Sequence, residues 1–461
     1  MKSLLFLALF ATVPLSAKPN IIYILADDLG FGDLSCYGQT QLVTPNLDRL
    51  AEEGIRFTRH YAGNTVCSPS RAVLMTGMHA AHSPIRGNRD GALPNHLDTL
   101  PKLLKKAGYH TACIGKWGLG NDIPLNDPNS KGFDEFFGYV DMYHAHNFFP
   151  EFLIRNGEKE PLPNMLFKEW KEENRGNGIA EKQVVFAPHR LQEEVLSFLK
   201  SQPAKEEPFF LYYALNIPHA NNEAGKMPPR GMEVPLGEDG NADYGKYAKE
   251  SWPDQEKGFA QYITFIDNYV GEILASLDEL GLAENTLVLF SSDNGPHAEG
   301  GHNPSHFDSN GDLRGIKRDL YEGGIRVPFI ARWTGSIPAK RTTKFVCGFQ
   351  DMIPTLCELA GTETPKTDGL SILPTLINEG NQPEHDYLYW EYSTGLEKGK
   401  IAILQNDWKL VAPFRKGKVA GPGELFKINK DPIETEDLTK IFGSKSKQLL
   451  DLIREIRKED G

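Results

Sequence analysis

The chain has 461 residues, room for one large core or two unequal domains, and its 40% hydrophobic and 24% charged residues exclude a disordered or fibrous protein. Lys and Arg number 50 against 62 Asp and Glu, and the net charge of −12 at pH 7 disfavours a nucleic-acid binder working through a broad basic surface. Five cysteines, sparse and odd in number, exclude a disulfide scaffold and leave at least one thiol without an intramolecular partner.

Met1-Lys2-Ser3, the apolar run at 4–13 and Pro14-Leu15-Ser16-Ala17 have the charged, apolar and small-residue order of a secretory signal, with cleavage expected after Ala17. The apolar run falls short of the roughly 20 residues that span a bilayer. A secreted or periplasmic protein with no integral membrane segment is expected. Residues 20–26 form a continuous apolar run, a strand buried on both faces, that ends abruptly at Asp27-Asp28. Residues 44–54 carry Thr44 as a cap, Pro45 in the first turn and Gly54 past the end, the marks of a short helix. Helices expected at 97–107, 188–200 and 259–280 alternate with strands expected at 111–115, 208–217 and 286–292, the last running into Asp293-Asn294-Gly295. This order predicts an α/β fold, a large mixed, mostly parallel sheet sandwiched by helices. Residues 141–181 and 225–252 read as long irregular loops over the sheet's rim. Beyond residue 374 the alternation fades. Short strands at 387–392, 401–404, 408–411 and 424–428 and a helix at 445–458 predict a small C-terminal antiparallel sheet plus helix.

Ligands of open parallel sheets bind at the carboxyl ends of the strands. Asp27-Asp28, Lys116, His219 and Asp293-Asn294 all fall at such ends. Singly each reads as a strand-terminating turn; the four together point to a polyvalent site. In Cys67-Ser68-Pro69-Ser70-Arg71, Pro69 suits the first turn of a helix, which puts Cys67 where unpaired N–H groups favour an anion or a thiolate. Arg71 follows one turn along the same face. On spacing alone, a nucleophilic cysteine and a chance cysteine near a helix start weigh equally.

Cys67-x-Pro69-x-Arg71, followed by the small-residue stretch through Thr76-Gly77, resembles the sulfatase maturation motif. Asn20 to Asp28, Thr44-Pro45-Asn46-Leu47-Asp48, Gly115-Lys116-Trp117, Pro218-His219, Ser292-Asp293-Asn294-Gly295, Gly315-x-Lys317 and Gly323-Gly324-x-Arg326-Val327-Pro328 match that family in order, as do Glu424-Leu425-Phe426 and Asp431-Pro432. The resemblance is to the arylsulfatase A type within the alkaline-phosphatase-like superfamily and spans nearly the whole chain after the signal. It implies a catalytic sulfatase domain at 18–374, after the signal peptide at 1–17, and a C-terminal α+β subdomain at 375–461. It also implies that a formylglycine-generating maturation enzyme converts Cys67 to formylglycine, and that Asp27, Asp28, Asp293, Asn294 and position 67 hold one calcium ion. Four of these offer hard oxygen ligands, which suit calcium rather than a soft metal.

By the same resemblance, the hydrated aldehyde at 67 attacks the sulfur of a sulfate ester and inorganic sulfate is released. Arg71, Lys116 and Lys317 would screen the sulfate charge, and His219 would protonate the leaving oxygen or contact the sulfate. The substrate expected is a sulfated carbohydrate or an aryl sulfate. The alternative is a phosphonate or phosphate monoester hydrolase of the same superfamily. One departure stands out: Gly118 occupies the place where the family commonly has a histidine credited with assisting hemiacetal breakdown. His144 or His146 could reach in from the loop to take that part. His302 and His306 are candidates for sugar contacts near the pocket mouth, and aromatic residues at 139–149 for stacking on a sugar ring.

Overall fold

The computed structural model describes residues 18–458, apart from 89–90, 121–124, 172–174, 203–206, 225–230 and 394–397. The expected signal at 1–17 and part of the loop expected at 225–252 lie outside the described residues. The apolar run after the signal is β1 (Asn20–Ala26), buried at every position. It is followed by α1 (Pro45–Glu52), β2 (Ile55–Tyr61), α2 (Cys67–Thr76), α3 (Leu100–Lys106), β3 (His110–Lys116), β4 (Glu135–Tyr139), β5 (Phe152–Arg155) and β6 (Glu158–Pro161). Next come β7 (Met165–Leu166), α4 (Lys168–Lys171), β8 (Ala180–Lys182), α5 (Ala187–Ser201), β9 (Phe209–Ala214), α6 (Asp254–Glu279), β10 (Thr286–Ser292) and α7 (Glu322–Ile325). Then β11 (Arg326–Arg332), β12 (Arg341–Thr343), β13 (Cys347–Gly348), α8 (Met352–Ala360) and α9 (Leu373–Ile377) complete the larger layer. The remainder is β14 (Leu388–Ser393), β15 (Gly399–Gln405), β16 (Trp408–Arg415), β17 (Lys418–Val419), β18 (Glu424–Lys427) and α10 (Gly443–Lys458).

The large sheet has the order β12-β2-β11-β10-β1-β9-β3-β4-β5-β6. Its centre, from β10 through β1, β9 and β3 to β4, is parallel. Antiparallel pairs flank it on both sides. Side chains of β1 alternate between two cores. Ile22 and Ile24 meet Leu47, Leu191 and Ile266 of α1, α5 and α6, while Ile21, Tyr23 and Leu25 meet Val73, Leu103 and Leu356 of α2, α3 and α8. Each aliphatic side chain so buried contributes about 1.5–3 kcal/mol. The parallel centre brings the carboxyl ends of β1, β3, β9 and β10 to one edge.

The smaller sheet, β14-β15-β16 with β18, is antiparallel. Ile401, Ile403 and Leu410 pack on Leu449 and Ile453 of α10, and the opposite face, with Trp390 and Phe426, packs on Tyr61, Leu320 and Ile325. Between the two sheets, the buried Lys409 ammonium bonds Glu322 at 2.8 Å and Glu434 at 2.9 Å.

Three local expectations change. Thr44 precedes α1 but its side chain does not cap it; Asp267 of α6 does, accepting from the N–H groups of Asn46 at 3.0 Å and Leu47 at 2.9 Å. The loop expected to be irregular at 141–181 contains the β5–β6 hairpin, whose turn is Asn156-Gly157 with φ of 47° and 89°. That dipeptide is a strong short-range hairpin signal because both residues tolerate the left-handed region. Helix α6 begins at Asp254, directly after Pro253, five residues ahead of its expected start at 259. None of the five cysteines is in a disulfide.

Candidate active site

The site forms where β1 and β10 end side by side. Asp293 N–H donates to Ala26 O and Asp27 N–H to Ile217 O, each at 3.1 Å, so both carboxylates are held by backbone. Asp28 has φ of 67°, a left-handed conformation that turns the chain out of the strand. Its N–H donates to Asp293 Oδ1 at 3.1 Å, and Asn294 Nδ2 donates to Asp28 Oδ1 at 2.7 Å. Gly295 must be glycine: a Cβ there would fall 1.9 Å from Gly323 O. Gly295 N–H instead donates to Gly324 O at 3.1 Å, so α7 clamps the Asp293-Asn294 turn.

Helix α2 starts at Cys67, with Pro69 in its first turn as the spacing predicts. Cys67 Sγ lies 3.2 Å from Asp27 Oδ1 and 3.8 Å from Asp28 Oδ1. Burial and the neighbouring Asp27 push its thiol pKa well above the usual range. The unmodified residue is therefore a buried thiol, not the thiolate that the helix N-terminus by itself favours. Asn88 Oδ1 accepts from Ser68 N–H at 3.3 Å at the start of the same helix.

Three buried cations meet the three carboxylates. Arg71 contacts Asp293 Oδ2 at 2.8 Å and Asp27 Oδ1 at 3.4 Å, and Lys116 Nζ reaches Asp27 Oδ2 at 2.6 Å. Lys317 Nζ reaches Asp28 Oδ2 at 2.6 Å. Burial opposes ionisation of Asp27, but Lys116, His219 and Arg71 outweigh it and hold the carboxyl well below its usual range. Asp293, raised by burial and by Asp27 against the pull of Arg71, is pushed up to about 7. One oxygen is left over: Asn294 Oδ1 is buried with no hydrogen-bond partner. Ligand atoms of Asp27, Asp28, Cys67 and Asp293 lie within 4.8 Å of one another. An oxygen-rich set with an unsatisfied buried oxygen fits a hard divalent cation such as calcium.

His219 Nδ1 is 2.7 Å from Ala220 O, and a carbonyl only accepts, so the ring proton sits on Nδ1. Nε2 is then bare and accepts from Lys317 Nζ at 3.1 Å. Burial first, and Lys317 second, lower its pKa to about 3 despite Asp28 and Asp27.

Above this floor opens a cavity of about 960 Å³, lined on one side by Cys67, Asn88, Tyr143, His146, His219 and Lys317, and on the other by Glu391, Tyr392, Phe414 and Arg457. The structure thus joins Asp27, Asp28, Cys67, Arg71, Lys116, His219, Asp293, Asn294 and Lys317 in one cluster. Arg71 and Lys116, however, face the carboxylates from beneath and do not line the cavity. His146 does, stacked on His219 at 4.6 Å. His144 does not: its ring is buried edge-on to Tyr139 at 4.9 Å and beside Phe152 at 4.7 Å. His302 is likewise turned away, stacked on Phe259 at 3.8 Å and bonded to Glu256 at 2.6 Å. His306 packs against Trp252 and Phe307. All three pack against aromatic rings away from the cavity, His302 with the buried Glu256 carboxylate beside it. Of the aromatics at 139–149, Tyr143 lines the cavity, whereas Tyr139, Phe148 and Phe149 are core.

The sequence reading named none of the cavity-lining Asn88, Glu391, Tyr392, Phe414 and Arg457, and it missed two residues packed against the cluster. Glu299 accepts from Lys317 at 3.3 Å and Arg318 at 2.5 Å; burial opposes its ionisation, but Lys317, His219, His297 and Arg318 hold it far below the carboxylate range. His297 sits beside it, bonded to Pro218 O at 2.9 Å. Both follow Asp293-Asn294-Gly295 in the same loop, and that proximity was the available signal.

The family model described as Sulfatase matches residues 19–362, and that described as N-sulphoglucosamine sulphohydrolase, C-terminal, matches residues 315–459. N-acetylgalactosamine-6-sulfatase of Rattus norvegicus is 34% identical over 436 residues, covering 88% of this chain and 75% of the relative. Arylsulfatase A of Homo sapiens is 31% identical over 429 residues, covering 88% and 77%. The crystal structure of Ps i-CgsB in complex with k-i-k-neocarrahexaose superposes with a TM-score of 0.76 at 29% identity, covering 96% of this chain and 93% of that one. The Sulfatase match runs through every segment that builds the cavity floor, and the chain belongs to the sulfatase family of sulfuric ester hydrolases.

Proposed function

We propose that this protein is an exported, calcium-dependent sulfatase that hydrolyses a sulfate ester on a carbohydrate, through a formylglycine formed from Cys67 by a maturation enzyme. The observation that carries this reading is the convergence of Cys67 with three carboxylates and the partnerless Asn294 Oδ1 at the floor of a cavity walled by Lys317 and His219. Formylglycine at 67 would supply a hydrated aldehyde oxygen as nucleophile for sulfur. Calcium held by Asp27, Asp28, Asp293, Asn294 and residue 67 would supply positive charge for the sulfate oxygens.

The rest falls to the chain's own side chains. Arg71 and Lys116 hold Asp27 and Asp293 in place, so they set the geometry of the ligand set from beneath. Lys317 donates to a sulfate oxygen from the wall. The His219–Lys317 pair, 3.1 Å apart, serves the leaving alcohol oxygen, with Lys317 carrying the proton that neutral His219 lacks. His146, stacked on His219, takes the part for which Gly118 has no side chain. Residues 18–374 form the catalytic domain and residues 375–461 a subdomain that closes the cavity with Glu391, Tyr392, Phe414 and Arg457. The cavity's size suits a sugar unit, and Tyr143, Tyr392 and Phe414 offer apolar ring faces to it. Export rests on the signal-like residues 1–17; among the described residues no helix is long and apolar enough to cross a membrane.

The test is a screen of sulfated mono- and oligosaccharides with protein whose mass confirms formylglycine at 67, run beside nitrophenyl sulfate and nitrophenyl phosphate. Sulfate release that is lost in Cys67→Ala is expected. Faster turnover of the phosphate ester, or sulfate release by Cys67→Ala, would overturn the reading.

A further inference from the structure

The chain is acidic overall, yet basic residues gather at the mouth of its cavity. The β16–β17 hairpin turns at Lys416-Gly417, with φ of 47° and 77°, the left-handed pair that a two-residue turn requires. This turn sets Arg415 directly opposite Lys418. In the next strand pair Gly399 lies opposite Phe414, so Lys398, one position before Gly399, falls beside Arg415. Three cationic residues thus form a row across the ends of β15, β16 and β17, with Lys416 at the tip. All four are exposed. Among the described residues none of the four has a carboxylate partner, whereas Lys400 is held by Asp319 at 3.2 Å. Like charges directly opposite each other destabilise a strand pair, so folding alone does not account for the row.

The row is continuous with the cavity. Phe414 and Gly417, which precede Arg415 and Lys418 in the chain, line the cavity, and so do Arg318 and Tyr392. Arg318 and Tyr392 also line a smaller cleft of about 220 Å³ together with Lys398 and Lys400. Arg318 bonds Glu299 at 2.5 Å, but its side chain stays 48% exposed. Positive charge therefore leads from Lys317 on the cavity wall through Arg318 to Lys398, Arg415 and Lys418.

We propose that Lys398, Arg415 and Lys418 hold anionic groups of the substrate beyond the sugar in the cavity, so that the preferred substrate is an oligosaccharide with acidic groups on successive sugars. This rests on the sulfatase reading of the cavity. Each exposed ion pair contributes little by itself, but groups tethered on one chain engage the row together. Because the cations are exposed, salt screens what they gain.

The experiment compares the full chain with a triple variant, Lys398→Gln, Arg415→Gln and Lys418→Gln combined, and with Lys340→Gln on the connection from β11 to β12. Binding to dextran sulfate is measured as a function of salt, with uncharged dextran as the blank. The triple variant should bind about 10-fold more weakly near physiological salt and with a shallower salt dependence, while Lys340→Gln matches the unmodified chain. Removing opposed like charges should hold or raise Tm, so weaker binding would not reflect unfolding. In formylglycine-bearing protein, KM is then compared for an oligosaccharide sulfated on successive sugars and for one with a single sulfate among uronic acids. A rise in KM at constant kcat on either, with nitrophenyl sulfate kinetics unmoved, supports the row and tells which acid it takes. No rise on either, equal dextran sulfate affinity in the unmodified chain and the triple variant, or the same loss in Lys340→Gln, overturns the proposal. If no sulfate ester is hydrolysed, the sulfatase reading falls, and the dextran sulfate comparison still decides whether the row takes a polyanion.

Discussion

Lys317 joins the floor to the wall: its ammonium bonds Asp28 and His219 while lining the cavity. Lys317→Ala removes a preorganised donor for the sulfate and should lower kcat/KM by about 10²–10³-fold in steady-state assays on a sulfate ester. His146 and His144 should behave differently, although they are near neighbours in sequence. His146→Ala is expected to change the pH profile of kcat, whereas His144→Ala should leave its shape intact; an unaltered profile in His146→Ala would remove that residue from the reaction. His144 belongs to stability instead. Burial lowers its pKa to about 3, so the unfolded chain binds its proton from about pH 6.5 downward and the folded chain does not. Its contribution is therefore present above pH 6.5 and is lost as pH falls, at up to about 1.4 kcal/mol per unit. In His144→Phe that part of the slope should vanish, so the gap in Tm between wild type and variant should narrow from pH 7 to pH 4.

The elements that carry these residues depend on contacts made far away in sequence. Helix α1 follows a threonine, yet the groups that satisfy its first N–H donors belong to Asp267 on α6. Asp267→Ala should cost about 1–2 kcal/mol in denaturant unfolding, and Thr44→Ala no such cap energy. The turn after β10 is stricter still. Gly295→Ala drives a Cβ into the backbone carbonyl of Gly323, which cannot move without displacing α7, so it should reduce calcium affinity as well as stability, measured by titration and by urea unfolding. The alternation of strands and helices was legible because it rests on periodicity along the chain. The β5–β6 hairpin left a signal in Asn156-Gly157 that the sequence reading missed, because the polar β6 sat within a region that looked irregular.

Across the whole molecule, an acidic chain gathers three buried cations at one end of its sheet. At the floor Arg71, Lys116 and Lys317 oppose Asp27, Asp28 and Asp293, so on the proposed function the carboxylates would already have cationic partners before a divalent cation added charge for a sulfate to meet. Chelation should accordingly abolish turnover reversibly but lower Tm by only about 5 °C or less; a loss of fold on chelation would contradict this balance. The second sheet is fastened to the first by the buried Lys409, Glu322 and Glu434. Removing one partner of such a group leaves a buried charge exposed to no solvent, which costs about 3–5 kcal/mol.

The motifs at Cys67 to Arg71, Asp27-Asp28 and Asp293-Asn294, the class of fold and the family were readable from residue order, because they depend on local spacing and on apolar runs. The cluster itself depends on β1 lying beside β10 in a register that sets Ala26 opposite Ser292, which brings together Asp28 and Asp293, 265 positions apart in the chain. The same holds for the histidines. Side-chain chemistry made His144 and His146 candidates for the reaction and His302 and His306 candidates for sugar contacts; packing put one on the cavity wall and buried or turned aside the rest, because a ring's surroundings are set by the elements that converge on it and not by its neighbours in the chain.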